Sequence, residues 1–80
     1  MKAKIYITLK NGVLDPQGKA IENTLSNLGF EGVEGVKQGK FIEVDLVETD
    51  KNKAEEAVTK MCEKLLANTV VENYKFELSS

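Results

Sequence analysis

The apolar residues of this 80-residue chain repeat with two different periods, and the order of those periods restricts the fold more than any other feature. Residues 2–10 alternate apolar and polar side chains, as a half-buried strand does. Residues 16–28 place apolar side chains three and four positions apart, as an amphipathic helix does. Gly29 follows, where the end of a helix favours a left-handed glycine. The chain therefore begins with a strand and a helix.

The rest of the chain repeats this alternation. The segments 32–37 and 40–48 read as two strands joined by a glycine turn, which predicts a hairpin. Asp50 then precedes a second helix, whose apolar stripe ends near Asn68. A final strand carries on one face Tyr74, Phe76 and Leu78. The predicted order is β-α-β-β-α-β in a single domain, residues 1–80.

This order is that of the ferredoxin-like arrangement, an α+β two-layer sandwich. Its right-handed crossovers place both helices on one face of a single antiparallel sheet. The alternation leaves on the other, open face Tyr6, Thr8, Phe41 and Glu43. A chain of this size buries only roughly 60% of its unfolded surface. We therefore favour burial of the open face against a second copy, most simply in a homodimer, over a solvated face with scattered aromatics.

The composition excludes several classes of function. A net charge of -2 and a pI near 5.1 argue against nucleic-acid binding, which needs clustered cations. The chain has no histidine and one cysteine, Cys62, which lies with Met61 in the apolar stripe of the second helix. We therefore expect no catalytic residue, no metal site and no internal disulfide. No segment reads as a signal peptide or membrane span, which predicts a cytoplasmic protein without membrane contact.

The loop KNGVLDPQGKAI, residues 10–21, concentrates two glycines, the only proline and an aspartate. Asp15 is placed to cap the first helix, and Pro16 suits its first position. Gly18 weakens a helix by about 1 kcal/mol relative to alanine, which close approach of another backbone would explain. The amides near Gln17 could attract phosphate, but the loop lacks the spacing of known phosphate-binding loops.

The predicted hairpin carries Lys37 and Lys40 on either side of Gly39, so that two cations project from one turn. These lysines are either solvated or contact an acidic surface on a partner. The residues alone favour neither interpretation.

Four stretches taken together closely resemble the PurS family across nearly the whole chain. They are LKNG before the loop, VLDPQGKAI at 13–21, LG at 28–29 and VEGVKQGKFIEVDL at 33–46. PurS is the small subunit of phosphoribosylformylglycinamidine synthase, the fourth enzyme of purine biosynthesis. Lys37 departs from the arginine that many members have at this place, so a fork-like contact would become a point charge.

The resemblance implies a subunit with no active site and no cofactor of its own. In this family a large PurL-like synthetase subunit uses ATP and Mg²⁺, and a PurQ-like glutaminase subunit releases ammonia from glutamine. The PurS dimer joins the two and helps to enclose the ammonia route. The glycine at position 18 then suggests that a large partner packs closely there. The candidate partner contacts are Lys10, Asp15, Pro16, Gln17, Gly18, Lys37, Gly39 and Lys40.

Three other functions compete with this one. A small-molecule-binding regulatory domain can have the same topology and hold a ligand between two copies. An RNA-binding domain of this order would stack bases on strand aromatics, for which Tyr6 and Phe41 are too few. An independent enzyme would need a nucleophile, a base and a stabilising group, and the sequence offers no such set.

Overall fold

The computed structural model describes residues 1–79. Its strands are β1 (Lys2–Leu9), β2 (Gly39–Asp45) and β3 (Glu72–Ser79). Its helices are α1 (Pro16–Asn27) and α2 (Lys51–Met61), the latter continuing as a π-helical turn over Cys62–Leu66. The predicted α+β class and the positions of both helices are confirmed.

The three strands form one antiparallel sheet in the order β2-β1-β3. The alternation predicted for β1 is confirmed, because Ala3, Ile5 and Ile7 are fully buried on one side, the inner face. Helix α2 lies on this face and buries Val58 and Cys62 against it. The other side is the open face, as predicted. The core therefore lies between the sheet and α2.

The strand predicted for residues 32–37 is not formed, and this prediction was wrong for the single chain. The residues before Gly39 have no strand partner, and Gly39 itself begins β2 instead of forming a hairpin turn. Gly32 has a φ of +84°, which interrupts an extended strand. The segment also runs along α1, with which it shares a groove over residues 29–33. It is therefore not available to β2 as a fourth strand.

The predicted fold of two helices and one antiparallel sheet is confirmed, but within the single chain only α2 packs on the sheet. Of the residues of α1, only Gly18 is buried. The chain measures 48 × 26 × 15 Å, and its radius of gyration is 16.0 Å, against about 12 Å expected for a compact domain of this length. Residues 12–38, which comprise α1 and the segment that returns along it, thus form an arm beside the sheet.

Candidate protein-interaction surfaces

The Asp15 carboxylate joins the two ends of the arm, Gly18 and Gln38, where the arm leaves the sheet; we call this point the arm root. The Gly18 amide donates to Oδ1 at 2.8 Å, which is the predicted helix cap, and the Gln38 amide donates to Oδ2 at 3.0 Å. These two hydrogen bonds, and then the charge of nearby Lys37, hold the pKa of Asp15 below its usual value of 3.8. One side chain therefore joins the start of α1 to the residue just before β2.

Two of the candidate residues are glycines because backbone lies against them. A Cβ on Gly18 would collide with the carbonyl oxygen of Val36 and with the Asp15 carboxylate, and a Cβ on Gly39 would collide with the carbonyl oxygen of Ile7. The close backbone approach predicted at Gly18 is thus made by this chain itself. The glycine consequently gives no indication of a partner at that point.

The two lysines predicted to project from one turn have different neighbours. Lys37 donates from Nζ to Oδ1 of Asn11 at 2.6 Å, which ties the end of the arm to the loop after β1. Lys40 lies 3.7 Å from the carboxylate of Glu72 on β3. Lys37 and Lys40 are both exposed. They remain available for further contacts, but as separate charges.

Most of the predicted contact residues meet at one cleft of about 350 Å³ between the start of α1 and the end of the sheet. The lining includes Asp15, Pro16, Gln17, Gly39 and Lys40. Gly18, in the first turn of α1, is buried. Lys10, whose amide bonds to the Val71 carbonyl at 2.8 Å, and Lys37 do not line it. Five of the eight contact residues predicted from the sequence therefore lie together in the folded chain.

The open face carries an aromatic pair surrounded by charged side chains. The rings of Tyr6 and Phe41 lie 5.1 Å apart between centroids, and Lys75 Nζ lies 5.5 Å from the centre of the Tyr6 ring. Lys2 pairs with Glu43 at 3.2 Å. Thr8 is exposed at the end of the same face. This surface suits a mixed polar and aromatic protein contact.

The most reactive side chain of the described residues, Cys62, is not accessible. The Cys62 thiol is buried in the core, and burial, followed by the charge of Glu63, raises its pKa. A thiol in this environment is a poor nucleophile. Within residues 1–79, no group of three or more candidate ligands is placed to hold a metal ion. None of the helices in this range is long and apolar enough to cross a membrane.

Sequence analysis missed the exposed apolar side of the arm. Ile21 and Leu28 on α1 are 41% and 69% exposed, and Phe30 just after it is 59% exposed. The helical period predicts a buried side of α1, without indicating that this side is left exposed in the single chain. The two glycines of EGVEG at 31–35 are the sequence signal for this exposure. Glycine weakens a strand, and without a strand here nothing brings α1 onto the sheet.

Comparison with known proteins gives one consistent result. Residues 2–80 match the family model "PurS: Phosphoribosylformylglycinamidine (FGAM) synthase". The chain is 47% identical to the PurS subunit of Synechocystis over 96% of its own length and 77% of that protein. It is 43% identical to the Bacillus subtilis PurS subunit over 96% of its own length and 90% of that protein.

Solved structures agree with these sequence relationships. The crystal structure of Methanocaldococcus jannaschii PurS superposes with a TM-score of 0.87 at 40% identity, covering 99% of this chain and 95% of that one. A chain in the structure of PurLQS from Thermotoga maritima gives a TM-score of 0.74 at 35% identity, covering 95% and 93%. This chain therefore belongs to the PurS family of phosphoribosylformylglycinamidine synthase subunits, which act in purine biosynthesis.

Proposed function

We propose that this chain is a non-catalytic adaptor that joins a PurL-like synthetase subunit to a PurQ-like glutaminase subunit and aids the transfer of ammonia between them. ATP, Mg²⁺ and glutamine are used by the complex, and this chain binds none of them. It acts in the cytoplasm as a homodimer.

The observation that carries this proposal is the likeness to a chain in the PurLQS structure, a TM-score of 0.74 over 95% of this chain. The surfaces support it. The cleft at the start of α1 and the open face both expose polar and apolar groups suited to protein contacts. Buried Cys62 is unsuited to a nucleophile's role. The predicted contact residues other than buried Gly18, together with the open face, stay our candidates for subunit contacts.

The test is amidine formation by the synthetase and glutaminase subunits, with glutamine or free ammonia as nitrogen source, measured with and without this chain. An adaptor that couples the two subunits should be required for the glutamine-dependent rate and not for the ammonia-dependent rate. Equal rates with and without the chain, from both nitrogen sources, would refute the adaptor role.

A pair of variants tests the cleft as a contact with the partners. Gln17 and Asn52 are both exposed and occupy the second position of α1 and α2. Gln17→Ala should weaken assembly about fivefold, a loss of roughly 1 kcal/mol, which is the size that separates the energetically important contact side chains from the rest. It should also lower the glutamine-dependent rate when this chain is limiting. Asn52→Ala should change neither quantity. Equal behaviour of the two variants would remove the cleft from the contact surface.

A further inference from the structure

The loop between β1 and α1 contains an asparagine to which the proposed function gives no role. Asn11 is the only one of the six asparagines that is followed by glycine. Asn11 and Gly12 are both exposed. Because glycine has no Cβ, the peptide nitrogen between the two residues is unhindered on the side of the asparagine side chain. This pair is therefore the place where the backbone of the chain can best approach a side-chain amide.

The two residues form the centre of a tight turn. The Val13 amide donates to the Lys10 carbonyl oxygen at 3.2 Å, and Gly12 has a φ of +85°. These features are typical of a type II turn with Asn11 and Gly12 at its central positions. Type I and type II turns differ in the rotation of the central peptide unit, and glycine permits both. Rotation of this unit carries the Gly12 nitrogen past the Asn11 side chain without breaking the closing hydrogen bond.

The Asn11 amide also has a cation beside it. Lys37 donates from Nζ to Oδ1 of Asn11 at 2.6 Å, although the two residues are 26 positions apart. The neighbouring Gln38 amide donates to the Asp15 carboxylate at 3.0 Å, which holds the backbone of Lys37 at the arm root. A charged donor at this distance draws electrons from Cγ and stabilises negative charge that develops on Oδ1. Folding of the arm therefore activates this amide towards attack.

We propose that Asn11 is a site of intramolecular modification, at which the side-chain amide is lost as ammonia with the help of Lys37. The Gly12 nitrogen gives its proton to hydroxide and forms a bond to Cγ of Asn11. The electron pair of the carbonyl group moves to Oδ1, beside the Lys37 ammonium group. The Cγ–Nδ2 bond then breaks, and Nδ2 takes up a proton and leaves as ammonia. A five-membered cyclic imide remains.

Water completes the modification by opening the imide, and no oxidant or reductant is needed. Hydrolysis at Cγ gives an aspartate at position 11. Hydrolysis at the backbone carbonyl carbon gives an isoaspartate, in which the chain runs through Cγ and gains one carbon. Either product replaces a neutral amide with a carboxylate, which adds one negative charge to the net charge of -2.

The modification changes the charge at the arm root. The new carboxylate faces Lys37, one of the candidate subunit contacts, and neutralises it in an ion pair. The isoaspartate product also lengthens the loop that leads to α1. These effects arise within one chain, so the inference is independent of the adaptor role.

Incubation of the purified full chain in neutral buffer tests whether Asn11 is the modified site. Peptide mass spectrometry measures the conversion of each asparagine, and enzymatic methylation detects isoaspartate. The folded chain should convert Asn11 faster than the other five asparagines and faster than the chain unfolded in urea converts it. Conversion that is equal at all six sites, or that is slower at Asn11 in the folded than in the unfolded chain, would overturn the proposal.

Two lysine variants separate the contact of Lys37 from a general effect of charge. Lys37→Met keeps a long unbranched side chain without the donor and should slow the conversion of Asn11 about fivefold, which is the size of an exposed charge interaction. Lys40→Met is the matched control, because Lys40 is also exposed but lies beside Glu72. It should leave the rate unchanged. Equal rates in the wild type and both variants would refute the role of Lys37.

Rescue and unfolding show whether the effect depends on the folded contact. Lys37→Arg keeps a charged donor and should convert Asn11 faster than Lys37→Met does. In urea, Lys37→Met and the wild type should convert Asn11 at the same rate, because unfolding separates the two side chains. A difference that persists in urea, or an arginine variant as slow as the methionine variant, would contradict activation by the Lys37 hydrogen bond.

Discussion

Gly18→Ala is expected to destabilise the protein, because the new methyl group meets the Val36 carbonyl oxygen and the capping carboxylate. Such overpacking costs about 1–3 kcal/mol of unfolding free energy. Gly35→Ala, in the returning segment of the same arm, is the matched control. Gly35 has open space around its Cβ position and no positive φ, so alanine should be neutral or stabilise by up to about 1 kcal/mol. Urea unfolding of both variants would reveal the difference, and equal stabilities would contradict the close contact.

The Asp15 carboxylate should make the arm root sensitive to acid. Its pKa is lowered in the folded chain by the amides of Gly18 and Gln38. The stabilisation is therefore fully present above the unfolded-state pKa, near 3.8, and is lost as the pH falls through the lower folded-state value. Asp15→Asn keeps one acceptor oxygen and sets an NH₂ group against the second amide. The difference in unfolding free energy between the wild type and Asp15→Asn should become smaller as the pH falls from neutral to about pH 2. A deficit of constant size in urea unfolding would argue against this role.

Single residues were predictable where the reason for their identity is local. Asp15 as a helix cap, Pro16 at the first helical position and a positive φ at Gly29 all follow from short-range geometry and are confirmed. The partner of Gly18 was not predictable, because Val36 is distant in sequence and approaches only after the arm has folded back. A glycine in a helix indicates a close contact without indicating which chain makes it.

At the level of elements, α2 and not α1 contributes to the core of the single chain. Val58 on α2 is fully buried, and Val58→Ala should lower the unfolding free energy by about 2 kcal/mol through lost burial and a residual cavity. Val47, just after β2, is fully exposed, and Val47→Ala should have no measurable effect. Chemical unfolding of the two variants compares the cost of the same substitution at a buried and at an exposed position. A similar loss in both would show that Val47 is covered in solution.

The elements themselves follow from periodicity, but their packing does not. The alternation of β1 and the apolar spacing of both helices predict where they lie in the sequence, because each period is set by backbone geometry. The predicted hairpin is wrong because the apolar residues of 32–37 alone do not determine its course. The positive φ of Gly32 and the hydrogen bond from the Gln38 amide to Asp15 direct this segment along α1. An apolar stripe on a helix predicts burial without stating whether the covering surface belongs to the same chain.

At the scale of the whole molecule, an extended chain with one small core should depend on its partner for stability. If folding is coupled to formation of the proposed homodimer, a hundredfold rise in protein concentration stabilises the dimer by about 2.7 kcal/mol, or about 1.4 kcal/mol per chain. For a domain of this length that corresponds to a rise in Tm of about 5–10 °C. Scanning calorimetry or circular dichroism over this concentration range would measure it.

Two leucine variants supply the control for that measurement. Leu28, on the exposed apolar side of the arm, is 69% exposed, and Leu65, in the π-helical turn, is 82% exposed, so lysine at either place leaves the core of the single chain intact. With the exposed apolar side of the arm covered in the homodimer, Leu28→Lys removes an apolar contact between chains and none from the core of α2 and the sheet. Its Tm should therefore be lower than that of the wild type at every concentration. Leu65→Lys should retain the wild-type Tm at each concentration. A wild-type Tm that does not change with concentration would mean that the sheet and α2 are stable by themselves. The arm would then be an exposed appendage of a monomer, and its apolar stripe would have to be covered by one of the larger subunits instead of a second copy.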